Sequence, residues 1–101
     1  MDFQKAAEEI GISVKAYKNL CSLFIKTTKN DLQSLSEAIE AENREEIASL
    51  AHHIKGSASN MEFTGLMEEA KTLNEVAEDA ALSQIRGHFD TIQKLFNDIE
   101  E

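Results

Sequence analysis

Two adjacent histidines near the middle of the chain are the side chains best suited to chemistry. His52 and His53 are two of the three histidines in 101 residues, and Lys55 and Gly56 follow closely. A neutral imidazole is a good nucleophile near pH 7. Lys55 can bring a cation towards an anion held on such a ring, and a glycine leaves room for a bulky group. This combination suits a histidine that carries a phosphoryl group.

The pattern around these residues predicts a helix with one buried face. Its apolar residues follow the i, i+3, i+4 rule; they are Ile47, Leu50, Ala51, Ile54, Ala58 and Met61. At about 100° per residue, His52 points roughly 150° away from that face, and Gly56 lies one turn further on the same side. A glycine inside a helix costs about 1 kcal/mol relative to alanine. Its useful effect here is to clear the approach to His52, which we expect to be displayed to solvent.

The same stretch resembles a known family. The run His52-x-Ile54-Lys55-Gly56-Ser57, preceded by Ala51, is similar to the His-x-Leu-Lys-Gly-Ser signature of histidine-containing phosphotransfer (HPt) domains. Apolar residues before and after the signature fall where that family has its helices, so the resemblance extends over about residues 14–80. A helical C-terminus of compatible length follows.

The resemblance implies roles for particular residues. His52 would be the phospho-acceptor, Lys55 would stabilise the phosphoryl group, and Gly56 would keep the imidazole accessible. HPt domains often have a glutamate or glutamine 22 positions after the acceptor, where it bonds the imidazole; Asn74 stands there in this chain. Its shorter side chain could orient the ring through a water or a closer helix approach. His53 occupies the variable position of the signature and is not the expected acceptor.

A second departure from the family concerns the turn after the signature. HPt domains often have another glycine ten positions after the acceptor, and this chain has Glu62 there. The turn is therefore expected to differ, with Gly65 as the residue that could supply flexibility instead.

The resemblance implies a phosphorelay intermediate. His52 would accept a phosphoryl group from a receiver-domain aspartate and pass it to another response regulator. The partners would be receiver domains of response regulators, or a hybrid sensor histidine kinase, docking around His52 with apolar residues of the opening helix and acidic rim residues. No cofactor is expected on this chain, because Mg²⁺ would be bound by the receiver. No glycine-rich ATP loop is present, so a kinase activity of its own is not expected.

Two other classes of function remain open from the sequence. The first is a helical adaptor that docks on a receiver domain or kinase without accepting phosphate, which Glu62 and Asn74 leave possible. The second is an enzyme that uses His52 as a general base, although no convergent acid, nucleophile and pocket signature accompanies it. A metal site is not expected, because histidines at i and i+1 point in different directions. His88 is expected to be solvated or half-buried.

Composition limits the remaining choices. A chain of this length is expected to form a single HPt-like domain over residues 1–101, with a short N-terminal helix region at 1–12 and a helical bundle at 13–101. The net charge of −9 argues against nucleic acid. Charged residues interrupt every apolar run, so no membrane span is expected. The lone Cys21 and the absence of a signal-like N-terminus favour the cytoplasm, and we expect a monomer.

The apolar periodicity and the breaks predict the helices of the first half. Residues 2–10 predict a short helix capped by Asp2, ended by Gly11. Ser13 then caps a helix over 14–29. Its apolar residues are Val14, Tyr17, Leu20, Cys21, Phe24 and Ile25. A break at residues 30–31 would let Asp31 cap a further segment, although one long helix over 14–41 is the alternative.

The second half predicts three more helices. Asn43 opens the signature helix, in a pattern close to a capping box with Glu46. A turn is expected at residues 62–65, then a helix whose apolar residues lie between 66 and 77, then a break at 79–83 with Ser83 capping the last helix. Four long amphipathic helices with short links predict an all-α fold, an antiparallel up-down four-helix bundle with the short N-terminal helix covering one end.

Overall fold

The computed structural model describes residues 2–100, and all of its regular elements in that range are helices. They are α1 (Phe3–Ile10), α2 (Val14–Glu40), α3 (Arg44–Asn60), α4 (Thr64–Val76) and α5 (Leu82–Glu100). The predicted all-α class and the short N-terminal helix are confirmed. Among the helices of residues 2–100, none combines the length and the apolar character that a membrane-spanning segment needs.

Three of the predicted helix starts are confirmed by their side chains. Asp2, Ser13 and Asn43 each accept a hydrogen bond from the backbone N–H three residues on, at 3.0, 3.1 and 3.2 Å. These bonds satisfy N–H groups that the first turn of a helix leaves unpaired. Gly11 ends α1 with a φ of 87°, in the left-handed region that glycine enters without strain.

The predicted break at residues 30–31 is wrong, and the continuous alternative is confirmed. Helix α2 runs through Asp31 without interruption. The buried residues on either side of this point stay in helical phase; they are Tyr17, Phe24, Thr28, Leu32, Leu35 and Ile39. Because one continuous face enters the core, burial outweighs the weak tendency of Asn30-Asp31 to end a helix. The Asp31 side chain is used for a contact with α3 and not for a cap.

The predicted cap at Ser83 is also wrong. Helix α5 begins at Leu82, so Ser83 lies inside its first turn, and Ala81 O accepts the backbone bond from Ile85 N at 3.1 Å.

A side chain from α3 binds the carbonyl groups that follow the end of α4. Arg44 Nη1 donates to Ala77 O at 3.1 Å and Ala80 O at 2.7 Å. A guanidinium that donates to carbonyls just beyond the end of a helix satisfies acceptors that have no partner within that helix.

The turn between α3 and α4 forms without a glycine. Glu62 adopts a φ of 60°, and Gly65 lies within α4. The expectation that Gly65 supplies the flexibility is therefore wrong. Glu62 itself takes the left-handed conformation, which costs a non-glycine residue about 1 kcal/mol. A glycine, which the resemblance implies at this position, would adopt this φ without strain.

The helices pack around a continuous apolar core. Contacts join α2 to α3, α3 to α4, α4 to α5 and α5 back to α2, while α1 contacts α2. The ring of Phe3 meets that of Tyr17 edge-on, with centroids 6.1 Å apart. The body measures 42 × 19 × 19 Å, and its long axis matches the roughly 40 Å expected of the 27-residue α2.

Two residues of the apolar stripe predicted for α2 are not buried. Tyr17, Cys21 and Phe24 enter the core, but Leu20 is 42% exposed and Val14 also faces solvent. Both lie at the margins of the buried face, where helical periodicity alone does not decide burial. The neighbouring Leu23 is 61% exposed.

Candidate functional site

The inner face of α3 sets the direction in which His52 points. Ile47, Ala51, Ile54 and Ala58 are completely buried, and together they fix the rotation of the helix about its axis. His52 lies on the opposite side and is exposed, as predicted. Its ring makes no hydrogen bond within residues 2–100. The imidazole is therefore open to an incoming partner.

Gly56 leaves open space one turn beyond His52. Apart from its two chain neighbours and the adjoining backbone of α3, no atom of the described residues would lie within 4 Å of a Cβ atom built on Gly56, and the backbone there is ordinary α-helix. Neither a tight contact nor an unusual φ requires a glycine at this position. No packing contact within the described residues therefore offsets the cost of about 1 kcal/mol that a glycine adds inside a helix. What Gly56 provides is unobstructed surface beside the imidazole.

Lys55 follows His52 by three residues on the same helix and is half-buried. Its ammonium group makes no ion pair with any residue in the range 2–100. Residues three apart are neighbours on a helix surface, so the flexible side chain can reach an anion held near His52. The role predicted for Lys55 in stabilising a phosphoryl group stays a prediction.

Asn74 lies on α4, as predicted, but its side chain contacts α3 one turn before His52 and not at the His52 ring. Its Nδ2 donates to Ala48 O at 2.8 Å, joining α4 to α3. Ala48 precedes His52 by four residues, so this bond fixes α4 against the helix that carries the candidate acceptor. A direct role for Asn74 in orienting the imidazole stays a prediction.

The sequence reasoning missed a contact between His53 and α2. His53 Nδ1 lies 2.5 Å from Asp31 Oδ2, and the two side chains are 57% and 15% exposed. Twenty-two residues separate them in the chain. Asp31 carried no sequence signal for this contact, because its position beside α3 follows from α2 being continuous.

The third histidine belongs to another part of the molecule. His88 on α5 lies 2.6 Å from Glu69 on α4, measured from Nδ1 to Oε1, with 28% and 24% of the two side chains exposed. Of the two alternatives expected for His88, solvated or half-buried, the half-buried one is confirmed. It takes no part in the surface around His52, because its contacts are between α4 and α5.

Exposed apolar side chains lie on α2, the helix that neighbours α3. The large ones among the described residues are Val14, Leu20 and Leu23. The apolar residues of α1 are instead at least partly buried against the core. The large exposed apolar residues of the described part of the chain therefore lie on α2, and a contribution of the opening helix to docking stays a prediction.

The structure thus displays His52 beside Gly56 and beside Lys55, which makes no ion pair within residues 2–100. A family model described as Hpt domain matches residues 19–101, which is most of the chain. The chain therefore belongs to the Hpt domain family. Domains of this family are phosphocarrier modules of phosphorelays, not kinases, and they interact with receiver domains and kinases of two-component systems. No curated protein and no solved structure matched the chain.

Proposed function

We propose that this protein is a phosphorelay intermediate whose phospho-acceptor is His52. The observation that carries the proposal is the exposed imidazole beside open space at Gly56, in a chain of the Hpt family. A receiver domain presents a phosphorylated aspartate, and a ring nitrogen of His52 attacks the phosphorus. The N–P bond forms as the P–O bond to the aspartate breaks, and the carboxylate leaves. The reverse reaction on a second receiver passes the group on.

The surroundings of His52 support transfer in both directions. Lys55 is free of ion pairs within the described residues, so its charge is available to a phosphoryl group. Mg²⁺ would be bound by the receiver, next to the acyl phosphate. This chain then needs to supply only the nucleophile, one cation and a clear approach.

We infer that α2 to α5 run alternately up and down. Among the described residues, ion pairs join α2 and α5 at Lys29 with Glu100, 2.7 Å apart, and at Glu40 with Arg86, 3.5 Å apart. Residue order along one helix is thus reversed along the other. The contact between His53 and Asp31 supports a docking surface that the exposed sides of α3 and α2 share.

Leu23 is the apolar residue best placed to meet a receiver. It lies eight residues before Asp31, about 12 Å along α2 from the level of His53. A standard interface of about 800 Å² per partner spans that distance easily. The receiver would then cover His52, Gly56 and the exposed leucines of α2.

Localisation in the cytoplasm, where the proposed partners act, stays a prediction.

Transfer of labelled phosphate from a phosphorylated receiver domain tests the proposal. Wild-type protein should become labelled, whereas His52→Gln should bind the receiver with unchanged affinity and take no label. The label should be labile in acid and stable in base, as a phosphoramidate is. Receivers that bind wild-type protein and retain their phosphoryl group would instead establish the adaptor function.

A further inference from the structure

The contact between Asp31 and His53 determines which nitrogen of His53 carries a proton. An ionised carboxylate can only accept a hydrogen bond. Nδ1, which lies 2.5 Å from Asp31 Oδ2, must therefore be the N–H donor. In the neutral ring the proton is then absent from Nε2, whose lone pair is available.

The other side of the same imidazole is open. More than half of the His53 side chain is exposed, while Asp31 is largely covered. Nε2 of His53 makes no hydrogen bond or ion pair within residues 2–100. A shielded carboxylate behind an exposed ring nitrogen orients the ring, and it stabilises the positive charge that develops when that nitrogen is alkylated or phosphorylated.

The three histidines differ in this respect. His52 is exposed, but no carboxylate of residues 2–100 contacts its ring, and His88 has a carboxylate on Nδ1 but is only 28% exposed. Only His53, among the three, combines a carboxylate on Nδ1 with a mostly exposed ring. The features that favour nucleophilic attack thus meet on the histidine that the signature leaves variable.

We propose that His53 is a second phosphoryl acceptor, loaded by small activated phosphates such as acyl phosphates or phosphoramidates. Nε2 attacks the phosphorus and the N–P bond forms. The bond from phosphorus to the donor's leaving group breaks, and a carboxylate or ammonia departs with the electron pair. The Nδ1 proton stays in its hydrogen bond, where Asp31 offsets the positive charge of the ring.

A small donor fits His53 better than a docked receiver does. His53 lies about 100° around α3 from His52, and its ring is held towards α2 by Asp31. A receiver aligned for in-line transfer to His52 is therefore not aligned with His53. A small phosphate needs no docking surface and can approach Nε2 from solvent. This inference goes beyond the relay function, because it requires neither His52 nor a receiver.

Proteins that retain a single histidine test the inference directly. The chain has three histidines, so His52→Gln with His88→Gln leaves His53, and His52→Gln with His53→Gln leaves His88. The triple variant leaves none. Each protein is incubated with acetyl phosphate or with phosphoramidate. Added phosphoryl groups are counted by intact mass, and ¹⁵N–³¹P couplings identify the modified nitrogen.

The protein that retains only His53 should gain one phosphoryl group on Nε2, at least about tenfold faster than the protein that retains only His88, whose ring is less exposed. Adding Asp31→Asn should slow its loading by about tenfold, as loss of an orienting partner does elsewhere. Circular dichroism would verify that this isosteric change leaves the helices intact.

Three results would overturn the inference: no more label on the His53-only protein than on the histidine-free one, loading unchanged by Asp31→Asn, or equal loading of His88. The relay function is tested separately, by transfer from a phosphorylated receiver to the protein that retains only His52. If that transfer succeeds while the His53-only protein takes no phosphate, this inference fails and the relay function stands.

Discussion

The two helices that carry the site, α2 and α3, have inner faces that are buried in the core and outer faces that are exposed to solvent. Along α3, Ile54 and its inner neighbours are completely buried, whereas His52 and Gly56 face open solvent. Along α2, Tyr17 is buried while Leu23 is exposed. The inner residues determine whether the helices form and how they are rotated. The outer ones contribute little to stability and are free to serve a partner, so changes on the two faces should have separable effects.

The largest expected effect on stability comes from Ile54→Ala. Removing a completely buried side chain leaves a cavity, so the free energy of unfolding should fall by about 2–5 kcal/mol. Denaturant unfolding followed by circular dichroism measures this. The rate of phosphotransfer per folded molecule should stay near wild type, because Ile54 lies on the face opposite His52.

A large fall in that per-molecule rate, with the fold intact, would show that the two faces of α3 are coupled. His52→Gln is the matched variant on the outer face. It should leave the unfolding free energy within about 0.5 kcal/mol of wild type while abolishing transfer.

Raising the pH should lower the free energy of unfolding, because Tyr17 is buried on the inner face of α2. Burial, followed by the hydrogen bond with Cys21, raises the pKa of Tyr17 to about 12 from its ordinary value of 10.0. As the pH rises, the Tyr17 hydroxyl ionises in the unfolded chain before it ionises in the folded one. The stabilisation that the neutral hydroxyl contributes is therefore complete below pH 10 and is lost between about pH 10 and 12. The loss should approach about 3 kcal/mol.

Unfolding curves collected from pH 8 to 12 measure this loss. Tyr17→Phe, which has no ionisable hydroxyl, should lose less stability over the same range than wild type does. Equal losses in the two proteins would assign the alkaline sensitivity to other groups.

Gly56→Leu should slow phosphotransfer without harming the fold. The new side chain would stand in the receiver's approach to His52, and small misplacements of a reacting group lower rates by about tenfold to a hundredfold. The helix itself should gain about 0.5–1 kcal/mol, since an interior glycine is replaced where no side chain from another helix in residues 2–100 crowds its Cβ. Transfer kinetics and thermal unfolding are measured on the same sample.

Glu62→Gly is the comparison for that variant. It relieves a φ of 60° and should stabilise by about 1 kcal/mol, with transfer rates close to wild type. If Gly56→Leu transferred as fast as Glu62→Gly, open space beside His52 would have no role in the reaction.

Leu23→Ser should give the smallest effect, confined to docking. Loss of an exposed leucine from the proposed interface should weaken receiver binding by about 1 kcal/mol, or about fivefold in Kd, and leave the thermal midpoint unchanged. Val14→Ser is the matched control, since Val14 lies 17 residues from Asp31, about 25 Å along α2. Calorimetric titration with a receiver would measure both, and equal losses would place the docking surface elsewhere.

The sequence by itself determined the features that depend on neighbours in the chain. The caps at Asp2, Ser13 and Asn43, the end of α1 at Gly11 and the outward direction of His52 all follow from local hydrogen bonding and from 3.6-residue periodicity. The signature around His52 also indicated the family to which the chain belongs. Such features need no knowledge of how helices pack.

Tertiary structure decided whatever depends on contacts between helices. It kept α2 continuous through Asp31, and this placed a carboxylate on His53. It joined Asn74 to Ala48 and left Leu23 exposed. The physical reason is that the burial of a shared core outweighs weak local preferences. Partners separated by 22 or 26 residues, such as Asp31 with His53 and Ala48 with Asn74, meet only after those helices have packed.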